Sequence, residues 1–363
     1  MKNNYYAVIM AGGGGTRLWP LSRKSTPKQM LTLTNNRTMY QLACDRLKNL
    51  FPPERIFVVT VADQIEALSE QTPEIPNENF LIEPMPKGTA TVVAYAASVL
   101  KKVDPDAVMA VLTADHLIEN IAMFESVLNT AYDAAQSGYL VTLGIVPKFP
   151  STGYGYIHRT NDEISGFDLP IYRVAQFREK PDLETAQCML ASGDYDWNSG
   201  MFIWRVAKIL DAFETLMPEL TEKMHYMFAT NSSSETEQRI KGIWPKIKPQ
   251  TIDYGIMEHA EDVVVIPAAN LEWNDVGSWD SLFDVLQSDE NCNIILGAEH
   301  LGIDTSESLV CSNQQDRLIV TIGVKDLVIV DTGDAILVSD RNRVQDVKEV
   351  VKKLLEQKKE AYL

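Results

Sequence analysis

Short apolar runs alternate with longer amphipathic stretches over the first 146 positions. Residues 6–10, 55–60, 80–83, 107–113 and 139–146 are apolar almost throughout, the pattern of strands buried on both faces. Between them, residues 38–50, 62–71, 89–102 and 121–137 place apolar side chains at helical spacing, as Met39, Leu42, Ala43, Leu47 and Leu50 do. This alternation predicts an α/β domain with a parallel sheet covered by helices on both faces. Ligands of such sheets bind at the carboxyl ends of the strands.

The pattern then changes. Strands are predicted at 153–159, 172–179 and 201–205 and helices at 182–192 and 207–229, with a polar surface loop at 231–234. Residues 283–289 read as the end of the first domain. Beyond them, β-branched runs at 309–311, 318–322, 327–330 and 335–338 are punctuated by Gly323, Gly333 and Asp334. Residues 344–359 form an amphipathic helix with Val344, Val347, Val350, Val351, Leu354 and Leu355 on one stripe. The predicted organisation is therefore a domain over 1–289 and a small β unit with a terminal helix over 290–363, without a repeat regular enough to count turns.

Composition narrows the classes. A chain of 363 residues with 45% hydrophobic content is globular and long for one core. No apolar stretch reaches membrane-spanning length, and no secretory leader is evident, so no membrane partner is expected. The net charge of −17 argues against nucleic acid. Cys44, Cys188, Cys292 and Cys311 are far apart and suggest neither a zinc site nor a disulfide framework, which fits a reducing, cytoplasmic setting.

The stretch richest in chemistry follows the first strand. Ala11 and four glycines, Gly12, Gly13, Gly14 and Gly15, let several backbone N–H groups converge on one anion, and the cations Arg17 and Lys28 follow. The stretch is not a Walker A loop, since no Lys-Ser or Lys-Thr follows the glycines. Nor is it a dinucleotide-binding turn, since Pro20 forbids a continuous helix there. Asp115 closes the strand 107–113 and reads either as a Mg²⁺ ligand or as a turn cap. Asp275, in Trp273-Asn274-Asp275-Val276-Gly277, offers a second carboxylate or an N-cap. Glu179 and Lys180 at a strand end read as ligand groups or as a surface ion pair. Gly153 permits close backbone approach, and Asn198 can both donate to and accept from hydroxyls. Glu83 falls at the end of the strand 80–83 and is followed by Gly88 and Thr89.

AGGGGTRLWPLSRKSTPKQ resembles the N-terminal motif of the sugar-1-phosphate nucleotidylyltransferases, in the form found in the mannose-1-phosphate guanylyltransferases. Leu112-Thr113-Ala114-Asp115-His116, Phe177-Arg178-Glu179-Lys180-Pro181 and the segment around Asp275 extend the resemblance over nearly the whole chain. It implies a Rossmann-like α/β fold, mixed but mostly parallel, with a β-helix-like C-terminal unit that contributes to oligomer contacts and is compatible with a homodimer. The implied substrates are GTP and mannose 1-phosphate. The implied cofactor is Mg²⁺ (or Mn²⁺), on Asp115 and Asp275. Arg17, Lys28, Asp115 and Lys180 would be catalytic. Ala11, Gly12, Gly13, Gly15, Glu83, Gly88 and Thr89 would bind the nucleotide, and Gly153, Glu179, Lys180 and Asn198 the sugar phosphate. The chain departs from the family pattern where Gly88 replaces a usual Asn and Thr91 a usual Pro.

Overall fold

The computed structural model describes residues 2–363 apart from Gly14 and Asn35, so Gly14 of the glycine run lies outside the described residues. The chain forms two compact units, each gathered from separate stretches. The first comprises residues up to Gly12, Cys44–Thr113 and Ile118–Trp273, and the second Gly13–Ala43, Ala114–Leu117 and Asn274–Leu363.

A nine-stranded sheet runs through the first unit. Its spatial order is Phe80–Glu83, Ile56–Val61, Tyr5–Met10, Val108–Thr113, Tyr195–Arg205, Leu140–Ile145, Val263–Pro267, Tyr172–Arg178 and Tyr156–Glu163. Seven strands run one way; Tyr172–Arg178 and Tyr195–Arg205 run the other. The sheet is mixed but mostly parallel, as the family resemblance implies. Tyr195–Arg205 inserts antiparallel between two strands that the alternation alone would make neighbours. An apolar run reports burial of a strand and carries no sign of its direction.

Side-chain alternation along the strands separates two faces. Tyr6, Val8, Met109 and Val111 share a core with Val93, Ala97 and Leu100 of the helix Thr89–Val103. Tyr5 faces the other way, its hydroxyl donating to the Leu128 carbonyl at 3.0 Å, and there Ile121–Gln136 packs on the sheet. The long helix predicted at 207–229 is two helices, Val206–Leu216 and Pro218–Phe228. Pro218 has no N–H for the first helix to continue through, yet it suits the first turn of the second. Two further elements follow, the helix Ser233–Ile243 and the strand Val263–Pro267.

In the second unit, Ile294–Leu296, Leu309–Ser312 and Leu327–Asp331 stack in parallel register, and Ile336–Asp340 closes the ladder antiparallel. A second parallel ladder pairs Glu299–Ile303 with Leu318–Ile322. Strands of the two ladders alternate along the chain, so this segment climbs as a short β-helix-like coil. Its core includes Leu309, Cys311, Val328 and Val330, and it is shared by Leu18, Trp19, Leu31, Val276, Trp279, Val347 and Val351. The terminal helix is Val347–Glu356, preceded by a 3₁₀ segment Arg341–Asp346. All four cysteines are free, and no described helix is long and apolar enough to cross a membrane.

Candidate active site

The second unit holds a cavity of about 280 Å³ lined by Gly15, Thr16, Arg17, Leu18, Lys28, Asp115, His116, Asp275 and Gly277. Four of the polar residues singled out in the sequence, Arg17, Lys28, Asp115 and Asp275, therefore line one space. Lys28, only 6% exposed, donates to Asp115 Oδ2 at 2.8 Å and to the Asp275 carbonyl. Burial works against the Asp115 charge, but the Lys28 ammonium, His116 (Nε2 3.9 Å from Oδ1) and hydrogen bonds hold the carboxyl below its ordinary range. Asp275 is not the N-cap of the following helix. Ser278 caps the 3₁₀ segment Trp279–Asp284 in a reciprocal capping box with Ser281, while Asp275 Oδ1 accepts from Gly277 N–H at 3.2 Å.

Arg17 reaches the cavity because of its backbone. Gly15 is left-handed (φ +57) and starts the 3₁₀ turn Thr16–Leu18; a Cβ at Gly15 would collide with the Lys28 side chain. The loop is then tied down from several sides. Ser22 Oγ donates to the Gly15 carbonyl at 2.6 Å. The Trp279 indole donates to the Trp19 carbonyl at 3.0 Å, and the Trp19 indole to the Tyr362 carbonyl at 2.7 Å. Arg23 meets Asp334 through two N–H groups at 2.9 and 3.2 Å and also donates to Thr332 Oγ1 at 3.2 Å. The helix Val347–Glu356 packs against the turn that carries Arg17. Within this unit, the β-helix-like segment and the terminal helix therefore support the cation-bearing loop.

Two hard carboxylates on one cavity suit Mg²⁺ or Mn²⁺, which favour oxygen donors. No cluster of three or more His, Cys, Asp or Glu side chains suited to a metal occurs among the described residues. The donor set fits a cation whose remaining positions are filled by substrate oxygens and water.

The first unit carries the other candidates. Ala11 follows the first strand, its N–H donating to Val59 at 2.8 Å and its carbonyl accepting from Thr60 at 3.1 Å. Gly12 lies against Glu83: a Cβ there would come 2.9 Å from Oε1. Glu83 is 3% exposed and its Oε2 has no hydrogen-bond partner among the described residues. Burial, opposed only in part by the Lys87 backbone, pushes its carboxyl up to about 7. Gly88 has a different task. Its φ is +84, and a Cβ would strike the Gln250 carbonyl, because segment 87–90 pairs with segment 250–252. Gln250 N–H donates to Lys87 at 3.1 Å, Ala90 N–H to Gln250 at 3.2 Å, and Ile252 N–H to Thr89 Oγ1 at 2.9 Å. The departure from the family's usual Asn thus coincides with a tight backbone crossing.

At the sugar-phosphate candidates, Glu179 and Lys180 pair with each other, and Glu179 lies over Gly155. Lys180 is left-handed (φ +44) and its side chain is 55% exposed. Asn198 joins them through its backbone N–H, which donates to the Gly155 carbonyl at 2.8 Å. Gly155, rather than Gly153, makes the close approach; Gly153 sits in a bend before the strand, which begins at Tyr156. Sequence reasoning misses two neighbours. His116 lines the cavity, and its only signal is that it adjoins Asp115. Asp253 is hydrogen-bonded to Asn198 and has no local pattern to mark it.

A mixed α/β sheet, a glycine loop feeding a cation-lined cavity and two carboxylates on that cavity define a phosphate-handling transferase. The chain belongs to the nucleotidyl transferase family, whose model matches residues 6–291, and a MannoseP isomerase/GMP-like β-helix domain matches 298–354. It is 38% identical over 362 residues to the mannose-1-phosphate guanylyltransferase of Escherichia coli (strain K12), covering 97% of this chain and 74% of that protein. It is 39% identical over 374 residues to mannose-1-phosphate guanylyltransferase ManC of Salmonella typhimurium (strain LT2), with the same shares covered. The crystal structure of mannose-1-phosphate geranyltransferase from Thermus thermophilus superposes with a TM-score of 0.85 at 34% identity, covering 97% of this chain and 99% of that one.

Proposed function

We propose that the chain transfers a GMP group from GTP to α-D-mannose 1-phosphate, giving GDP-mannose and pyrophosphate. The observation that carries this reading is the meeting of Arg17, Lys28, Asp115 and Asp275 on one cavity. An oxygen of the sugar phosphate attacks the α-phosphorus in line, a new P–O bond forms, and the bond to the β-phosphate oxygen breaks with its electrons leaving on pyrophosphate. Such transfer needs positioning and charge neutralisation more than a covalent intermediate. Arg17 and Lys28 neutralise the leaving pyrophosphate, and Lys180 holds the phosphate of the nucleophile. Glu179 and Asn198 belong to the sugar side, and Glu83 accepts from the guanine N1–H and N2–H groups. Mg²⁺ or Mn²⁺ on Asp115 and Asp275 supplies further neutralisation of phosphate charge. The likeness to mannose-1-phosphate guanylyltransferases supports the choice of sugar and base.

The test is pyrophosphate release over a panel of nucleoside triphosphates and hexose 1-phosphates with Mg²⁺. The expected result is a kcat/KM maximum at GTP with mannose 1-phosphate. A maximum at another base or sugar overturns the substrate assignment. Binding of GDP-mannose without turnover of any pair overturns the catalytic one.

A further inference from the structure

Asn198 is held by four hydrogen bonds that leave its side chain little capacity for a ligand. Besides the backbone bond to Gly155, its Oδ1 accepts from Thr142 Oγ1 and from Gly200 N–H, both at 3.2 Å, which occupies both lone pairs. Its Nδ2 donates to Asp253 Oδ1 at 2.9 Å, leaving one N–H. The amide is therefore oriented by its surroundings, and the group it presents is a carboxylate. Asp253 opens a single π-helical turn, Asp253–Met257, and follows the segment fixed to 87–90. Its Oδ1 accepts from Asn198 Nδ2, and its own backbone N–H also favours the charged form. Glu179 and Lys180 lie close enough to act on its charge. Burial, then the nearby Glu179 charge, push the Asp253 carboxyl up to about 6, so this is a desolvated acceptor.

Resting on the reading that Glu179 and Lys180 mark the sugar-phosphate side of the site, we infer that Asp253 is a specificity-determining residue whose Oδ2 accepts a hydrogen bond from one hydroxyl of the sugar ring. Asn198 is the positioning residue that aims it. The two carboxylates differ in their partners: Glu179 Oε1 is paired with the Lys180 cation, whereas Asp253 Oδ1 accepts from the neutral Asn198 amide. A carboxylate that loses a charged hydrogen bond to its substrate costs roughly 10- to 100-fold in affinity. A carboxylate acceptor also favours a sugar with a hydroxyl at that position and orientation over one lacking it.

The test measures kcat and KM of the full chain and of Asp253→Asn with mannose 1-phosphate and its 2-, 3-, 4- and 6-deoxy analogues, with GTP saturating. The Asn variant can still accept from Asn198 Nδ2, and thermal unfolding reports its folding directly. Asp253→Glu, which keeps the charge but moves it by one methylene, is the second variant. The expected result is that both variants lose roughly 10- to 100-fold in kcat/KM for mannose 1-phosphate with the KM for GTP unchanged. For one deoxy analogue, on which the wild type is already weakened, Asp253→Asn should bring no further loss. Equal losses on all four analogues, a parallel rise in the KM for GTP, or kcat/KM within twofold of wild type overturns the inference and leaves the proposed reaction standing. A wild-type chain that neither binds nor turns over any sugar phosphate while still binding GTP overturns the reading beneath it, and the inference with it.

Discussion

Lys28 is the residue on which the cavity turns. Its ammonium joins the Asp115 carboxylate to the Asp275 backbone across gaps of 87 and 247 residues in the chain. Lys28→Ala would leave Asp115 without its main counter-charge and, on the proposed reaction, remove a cation from the leaving group. The expected outcome is a fall in kcat on the order of 100-fold or more, with a much smaller change in the KM for mannose 1-phosphate. Glu83 gives a second prediction, on pH. Its folded carboxyl titrates near 7 against an ordinary 4.5, so between these values the folded chain keeps a proton that the unfolded chain has lost. Glu83 therefore favours folding least above pH 7, where the buried charge is fully formed. For the base reading proposed for Glu83 the sign is opposite, because guanine N–H groups would need the ionised acceptor. The ratio of GTP to ATP affinity should rise about tenfold from pH 6 to pH 8, and Glu83→Gln should flatten it. Taking the ratio removes the titration of the phosphates themselves. The residue types at both places were legible in the sequence. The buried, unpartnered oxygen of Glu83 was not, since it depends on packing around the strand Phe80–Glu83.

At the scale of elements, the apolar runs located strands well and directions poorly. The apolar pattern marks only the last five residues of Tyr195–Arg205. The strand is eleven long, because a glycine, a serine and an asparagine fall in its kinked half. The helix pattern over 207–229 runs through Pro218 because two consecutive helices can share one apolar period. Gly88 shows how a tertiary crossing hides behind a local departure. With φ +84 and the Gln250 carbonyl where a Cβ would sit, Gly88→Ala should destabilise the chain by about 1–3 kcal/mol, read as a lowered denaturant midpoint at unchanged slope. An Ala variant as stable as wild type would mean that segment 250–252 can move aside at no cost.

For the whole molecule, the compact unit holding the cavity is assembled from three distant stretches, 13–43, 114–117 and 274–363. Within it the β-helix-like coil and terminal helix bear on the loop that carries Arg17. The Arg23–Asp334 pair is the accessible test of that support. Asp334 is half exposed, so breaking the pair should cost stability no more than about 1 kcal/mol. Turnover should fall several-fold more than that loss explains if the pair fixes the loop. Arg23→Glu should lower kcat, and the double exchange Arg23→Glu with Asp334→Arg should recover part of it. Equal kcat in all three chains would confine the pair to the surface.

The sequence by itself determined most strands of the nine-stranded sheet though not Val263–Pro267, most helices, the glycine turn, the chemical types gathered after it and the family resemblance. These follow from local periodicity and from residues whose backbone or charge has few other uses. Tertiary structure alone decided that Tyr195–Arg205 runs antiparallel, that Asp115 and Asp275 line one cavity around Lys28, that Gly88 clears a backbone crossing, and that Asp253 meets the Asn198 amide. Each of these depends on which distant surfaces bury each other, and the free energy of that burial is set by complementarity between segments, which leaves no periodic trace in either one.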